Sequence, residues 1–194
     1  MFPRVLLPVD FSPYTERTVQ CIGEVPGIKA LILLHVLEPG PDLSTSYGQY
    51  IIEARIRDSL ARLENLKAGI GGPEMDIQVL VHERFHDDVA ETILSVAEKE
   101  KADLIALGAR GRTLRNLVLG SESSAVLRGA RVSVLVIHDR DLNGGGALSK
   151  YCRSAFARML LPLDFSKPSL DLASSLPRLA RPGGEVILLH VLGS

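Results

Sequence analysis

Two stretches of this chain carry residue types whose spacing could do chemistry. The first runs Gly108-Ala109-Arg110-Gly111-Arg112-Thr113-Leu114-Arg115-Asn116-Leu117-Val118-Leu119-Gly120-Ser121. Its glycines would let a ligand approach the backbone amides and would permit positive φ, and the helix expected from about Ser121 adds unpaired N–H groups and positive dipole. That combination binds anions. Arg110, Arg112 and Arg115 could make bidentate contacts with phosphate oxygens, while Ser121 could cap the helix or donate its hydroxyl to the same ligand. A glycine-bearing turn with solvated arginines has the same composition, so the loop takes its meaning from its surroundings. The second stretch ends in Asp10, which could accept a hydrogen bond from a nucleotide base or ribose, or cap the helix that follows. His35 is a third candidate. It sits in an aliphatic run with no nucleophile or metal partner at a recognisable spacing, which favours a core histidine over a catalytic base.

The elements that must position these residues alternate. Arg4 to Asp10 is aliphatic without polar alternation, as in a strand covered on both faces. Ser12 as N-cap and Pro13 at the first helical position open a helix to about Ile22. Ala30 to Leu37 is a second buried strand, and Ser46 to Ala68 is an amphipathic helix with Ile52, Ile56, Leu60, Leu63 and Leu66 on one stripe. Met75 to His82 places Met75, Ile77, Val79 and Val81 on one side of a third strand. Asp87 to Lys99 is helical with Val89, Ile93, Val96 and Ala97 inward, Leu104 to Leu107 is the fourth strand, and Val132 to Ile137 is the fifth. Strands and helices in this alternation specify an α/β fold, a doubly wound five-stranded parallel sheet with helices on both faces. In such a sheet Asp10 and Gly108 end neighbouring strands at the crevice where the strand order reverses.

Bulk properties exclude several classes. A chain of 194 residues that is 46% hydrophobic can bury a full core, and its formal net charge of -1 argues against nucleic acid as a partner. No apolar run approaches the ~20 residues of a membrane span and Met1 leads directly into a strand, so a soluble, cytoplasmic protein without a membrane partner is expected. Cys21 in a helix and Cys152 in a linker have neither metal-ligand spacing nor the density of a disulfide scaffold, which points to a reducing setting. Neither G-x-x-x-x-G-K-[ST] nor a G-x-G-x-x-G after the first strand occurs, which disfavours P-loop and ordinary dinucleotide sites.

Pro8-Val9-Asp10-Phe11-Ser12, Leu33-Leu34-His35-Val36, and Gly108-x-x-Gly111 followed by Gly120-Ser121 occur in an order that resembles the universal stress protein family over about residues 3 to 138. The resemblance implies a Rossmann-like fold of the adenine nucleotide alpha hydrolase type. In the ATP-binding branch, the acid and its neighbour at the first strand end hold the nucleoside. The valine after the second-strand histidine contacts the base, and the glycine loop with its Ser or Thr cradles the phosphates. By position these roles fall to Val9, Asp10, Val36, Leu107, Gly108, Arg110, Gly111, Gly120 and Ser121. ATP, ADP or AMP is the implied ligand, with Mg2+ entering through the phosphates. The chain departs from the family pattern twice. Arg112 to Leu119 puts eight residues between the second and third glycines where the family usually has nine, which predicts a cradle either tighter or shifted by one residue. His82 to His86 replaces the usual glycine and proline after the third strand, which predicts a bulkier, more polar wall there.

Arg158 to Ser166 repeats Arg4 to Ser12 with seven of nine identities, and Ile187 to Leu192 repeats Ile32 to Leu37 without change. Three domain segments follow: a universal stress protein domain over 1–138, a linker over 139–156 containing Asn143-Gly144-Gly145-Gly146, and an incomplete second repeat over 157–194. A β-α-β piece of that size seldom folds alone, so it is expected to dock on the first domain or on a second chain, and a homodimer or larger assembly is the expected state. The expected activity is adenine nucleotide binding in a stress-response regulatory module without rapid turnover, since no Walker lysine, general base or magnesium carboxylate is evident. The competing expectation is a family scaffold that binds no nucleotide and acts through dimer or partner contacts.

Overall fold

The structure is a computed structural model describing residues 2–38, 40, 45–70, 75–84, 88–109, 120–138, 152, 154 and 156–192, with the side chains of 109 and 138 outside the description. Five parallel strands, β1 (Arg4–Pro8), β2 (Ala30–Leu37), β3 (Asp76–Glu83), β4 (Leu104–Ala109) and β5 (Ser133–His138), form a sheet in the order β3-β2-β1-β4-β5. The connecting helices are α1 (Pro13–Ile22), α2 (Ser46–Ala68), α3 (Val89–Lys99) and α4 (Ser121–Gly129). A second unit consists of β6 (Arg158–Pro162), α5 (Lys167–Leu179) and β7 (Glu185–Leu189), with β6 and β7 paired in parallel. Among the described residues no helix is long and apolar enough to cross a membrane.

Alternate residues of the central strands feed two cores. Val5, Leu7, Leu31 and Leu33 pack with Val19 and Ile22 of α1 and Leu63 of α2, whereas Leu6, Ile32 and Leu34 pack with Ala90, Ile93, Val96 and Ala97 of α3 and Val126 of α4. Both faces of the sheet are therefore covered, which is why these strands read as unbroken aliphatic runs. Met75, Ile77, Val79 and Val81 all join the α1–α2 side, as their alternation predicts. The α2 stripe is rotated from the expected one. Ile52 and Leu63 are buried, but Gly48 and Ser59 are buried with them while Ile56 and Leu60 are only half-buried. A helix lying against a twisted sheet selects its contact line by fit, and small residues at 48 and 59 permit the closer approach.

The two cysteines, whose spacing showed no disulfide framework, do pair. Cys21 of α1 and Cys152 are joined by a disulfide across a sequence separation of 131. Pairing depends on which Cα atoms the fold brings close, here 5.0 Å, and sequence spacing carries no trace of that. Most of the predicted linker, including residues 143–146, lies outside the described residues.

The second unit repeats the start of the first fold without its cover. Leu161, matching Leu7, is buried with Leu176 and Leu179 of α5. Leu160, matching the fully buried Leu6, is 59% exposed, and Leu188, matching the fully buried Leu33, is also 59% exposed. Nothing equivalent to α2, α3 or α4 lies over these positions among the described residues.

Candidate functional site

Two identical clasps show how the ends of β1 and β2 are built. The Val9 amide donates to the Leu34 carbonyl at 2.7 Å, and the Val9 carbonyl accepts from Nδ1 of His35 at 2.7 Å. A carbonyl can only accept, so Nδ1 carries the proton. Phe11, at φ 56°, stacks on His35 with ring centroids 4.5 Å apart, and the Arg62 guanidinium lies 3.8 Å over the Phe11 ring. In the second unit the Leu163 amide donates to Leu189 at 2.7 Å, His190 Nδ1 meets the Leu163 carbonyl at 2.6 Å, and Phe165, at φ 61°, stacks on His190 at 4.6 Å. His35 is thus a strand-end fastener rather than a free base. Burial pushes its pKa down, and the positive charge of Arg62 adds to this against the opposing pull of the Val9 carbonyl.

The clasp turns the chain out of β1 and presents Asp10. β1 ends at Pro8, two residues earlier than expected, because Asp10 enters a local turn: its carboxylate accepts from the Ser12 amide at 2.9 Å and from the Thr15 hydroxyl. Ser12 caps α1 as predicted, accepting from Thr15 N, with Pro13 in the first turn. Burial raises the Asp10 carboxyl, but the hydrogen bonds from Ser12 and Thr15 outweigh it and hold the group below its ordinary value. Asp10 is therefore a local acceptor for the turn into α1, and its carboxylate, held ionised by those hydrogen bonds, also lines a cleft.

That cleft is a cavity of about 320 Å³ outside the carboxyl ends of β1, β2 and β4. Val9, Asp10, Val36, Leu107, Gly108 and Gly120 all line it, together with Tyr14, Thr15, Val89, Ile93, Glu38, Glu122 and Ser123. Its place at the point where the strand order reverses is where ligands enter doubly wound sheets. Arg110 and Gly111 lie outside the described residues, as do Arg112, Arg115 and the eight-residue gap itself. His82 and Glu83 end β3 with polar side chains, His82 Nδ1 meeting the Glu83 carbonyl at 3.0 Å, but neither they nor Arg84 line the cavity.

Two expectations about the glycine loop are corrected. Neither Gly108 nor Gly120 has positive φ. Gly108 is required by contact: a Cβ there would stand 2.8 Å from Thr18 Oγ1 and 3.4 Å from the Tyr14 carbonyl, so the bare backbone lets α1 pack against β4. Ser121 is not the cap of α4. The helix begins with Ser121 itself, Gly120 occupies the cap with no side-chain acceptor, and Ser121 does not line the cavity. A Cβ on Gly120 would meet nothing within 4 Å, so the helix start opens onto free space with its first amides unpaired by any cap side chain. This leaves an anion-receptive helix end of nine residues facing the cleft.

Sequence reasoning missed the acids at the mouth. Glu122 in the first turn of α4 has its pKa raised by partial burial and by a hydrogen bond with, and repulsion from, Asp88, the N-cap of α3; Glu38 adds repulsion and Arg84 opposes it. Only the packing of α3 on α4 brings Asp88 and Glu122 together. Thr15 was missed too, although a hydroxyl three residues beyond a Ser cap carries a local signal.

The sequence matches the universal stress protein family over residues 1–138. A universal stress protein of Thermus aquaticus is 32% identical over 144 residues, spanning 71% of this chain and 99% of that protein. Among solved structures, a universal stress protein from Archaeoglobus fulgidus aligns with a TM-score of 0.71 at 22% identity, covering 100% of this chain and 68% of that one. A universal stress protein family protein from Arabidopsis thaliana, solved with AMP bound, aligns at 16% identity with a TM-score of 0.49, covering 72% of this chain and 93% of that one.

Proposed function

The chain belongs to the universal stress protein family, and on that premise we propose that it binds an adenine nucleotide, ATP or its mono- or diphosphate, in the cleft between the ends of β1 and β4, and holds it without rapid turnover. The observation that carries this reading is the convergence of Val9, Asp10, Val36, Leu107, Gly108 and Gly120 on one cavity. Its volume of about 320 Å³ falls at the small end of the range usual for small-molecule sites. In the reading, the apolar walls from Val9, Val36, Val89, Ile93 and Leu107 take the base, Asp10 accepts from the ribose, and the open start of α4 faces the phosphates. Gly111 and Arg110 are assigned to the phosphate side by the family pattern, Ser121 serves it only through the backbone amide at the start of α4, and any Mg2+ arrives with the nucleotide.

The protein is read as cytoplasmic. Residues 157–194 are read as an incomplete second repeat whose uncovered aliphatic side chains support self-association. Heat release of bound nucleotide from purified protein, with chromatography of the supernatant and calorimetry with ATP, AMP and adenosine, tests the binding. One nucleotide per chain is expected. Protein that is free of nucleotide and shows no binding heat at millimolar ligand would overturn the proposal in favour of the second reading, a scaffold acting through dimer or partner contacts. That second reading has its own observation: Glu38 and Glu122 line the cleft that phosphates would enter, with Asp88 hydrogen-bonded to Glu122.

A further inference from the structure

We propose that Cys21 and Cys152 form a thiol–disulfide couple whose oxidation state decides whether the C-terminal unit is docked on the first sheet. Cys21 lies in the last turn of α1 and is 5% exposed; Cys152 precedes β6 and is 2% exposed. The bond therefore joins one face of the sheet to the start of the C-terminal unit, and the adjoining contacts continue along the same line. Phe156 packs against the core cluster made by β1, α1 and α2, and a hollow between the two parts is walled by Cys21, Val25, Leu135 and Ile137 on one side and Phe156 and Met159 on the other. Arg181 Nη2 donates to the Glu24 carbonyl at 2.9 Å and pairs with the Glu24 carboxylate at 3.1 Å, close to where α1 ends.

The relative strength of these contacts assigns the decisive part to the disulfide. The Arg181–Glu24 pair is about one-third exposed on each side, where water screens an ion pair to little net value. Phe156 is one partly buried ring. The disulfide closes a loop across a separation of 131 residues, and long closed loops are those whose opening most increases chain freedom. In a reducing compartment a bond of this kind is made and broken rather than permanent. Formation needs an oxidised low-molecular-weight thiol, RSSR. The Cys152 thiolate displaces one RS⁻ to give a mixed disulfide, and the Cys21 thiolate then attacks the Cys152 sulfur and displaces the second. Two protein thiols are oxidised, RSSR is reduced to two RSH, and the two thiol protons pass to the departing thiolates. Both sulfurs are buried, so exchange proceeds through an undocked form.

The test uses the full chain equilibrated with oxidised glutathione or with dithiothreitol, followed by alkylation. Thiol counting in denaturant is expected to give no free thiols in the first sample and two in the second, with monomer mobility on non-reducing gels in both. Limited proteolysis is expected to release the region beyond residue 157 roughly tenfold faster or more from the reduced sample, because cleavage tracks the undocked population. Cys21→Ser and Cys152→Ser should behave like reduced protein with or without reductant. Because the reduced wild-type chain gives the same comparison without substitution, a variant that fails to fold leaves the test intact. Two free thiols after glutathione treatment, a disulfide-linked dimer, or equal proteolysis of the oxidised and reduced chains would each overturn the proposal.

Discussion

Replacing Asp10 by alanine separates the two roles its carboxylate occupies, because the chain carries a built-in control. In the folded protein Asp10 accepts from the Ser12 amide at 2.9 Å and from the Thr15 hydroxyl, and it is exposed. Loss of one exposed and one part-buried local acceptor contact should cost ~1 kcal/mol of stability, in the range for helix-cap residues, and lower Tm by ~2–4 °C for a chain of this size. A ligand hydroxyl bound in the cleft would be shielded from water, so losing its acceptor should weaken nucleotide binding by ~1–3 kcal/mol, or about 5- to 150-fold in Kd. Asp10→Asn keeps an oxygen for Ser12 and Thr15 while removing the charge, so it should recover Tm more completely than affinity. Asp164 is the control. It accepts from the Ser166 amide at 2.9 Å and the Ser166 hydroxyl at 2.6 Å, and hydrogen bonds from Ser166 and Ser169 pull it down to about 2. It does not line the cleft of the first sheet, so Asp164→Ala should leave affinity unchanged. Calorimetric titration beside thermal melts gives both readouts. If Asp10→Ala binds nucleotide like the wild type while its Tm falls, Asp10 is a capping residue alone, and the nucleoside reading is wrong.

Three further outcomes are expected. Gly108→Ala should destabilise the fold by ~1–3 kcal/mol through the 2.8 Å approach to Thr18 Oγ1, and Thr18→Ala, which removes that oxygen, should restore much of the loss; additive effects in denaturant melts would refute the contact. The His35 pKa is lowered in the folded protein, so its neutral form is favoured there and its contribution to stability is present above the ordinary 6.5 and lost as pH falls from 6.5 through the folded value; His35→Asn, retaining a donor for the Val9 carbonyl, should flatten the stability profile across that window, and an unchanged profile would count against it. Leu160→Glu with Leu188→Glu should leave the melting of the first sheet intact and lower the sedimentation coefficient if the uncovered unit drives self-association; identical sedimentation would place the interface elsewhere.

Much of this molecule is written in short segments. β2 and α2 begin and end where their residue pattern places them, and Ser12 caps α1 with Pro13 beside it, because strand covering, amphipathic spacing and capping are decided within a few residues. The clasp makes the point most directly. Val9, Phe11 and His35 adopt the same bonds as Leu163, Phe165 and His190, although among the described residues nothing equivalent to α2, α3 or α4 covers the second copy. Tertiary structure decided the rest. Leu6 and Leu160 are the same residue in the same local sequence, yet one is buried and the other is 59% exposed, since burial depends on what else packs there. Gly108 reads as a flexible loop glycine but serves the approach of α1, Asp88 and Glu122 meet only because α3 packs on α4, and Cys21 finds Cys152 across a separation of 131 residues. Local patterns encode backbone conformation, whereas contacts between distant segments follow from how the helices settle on the sheet.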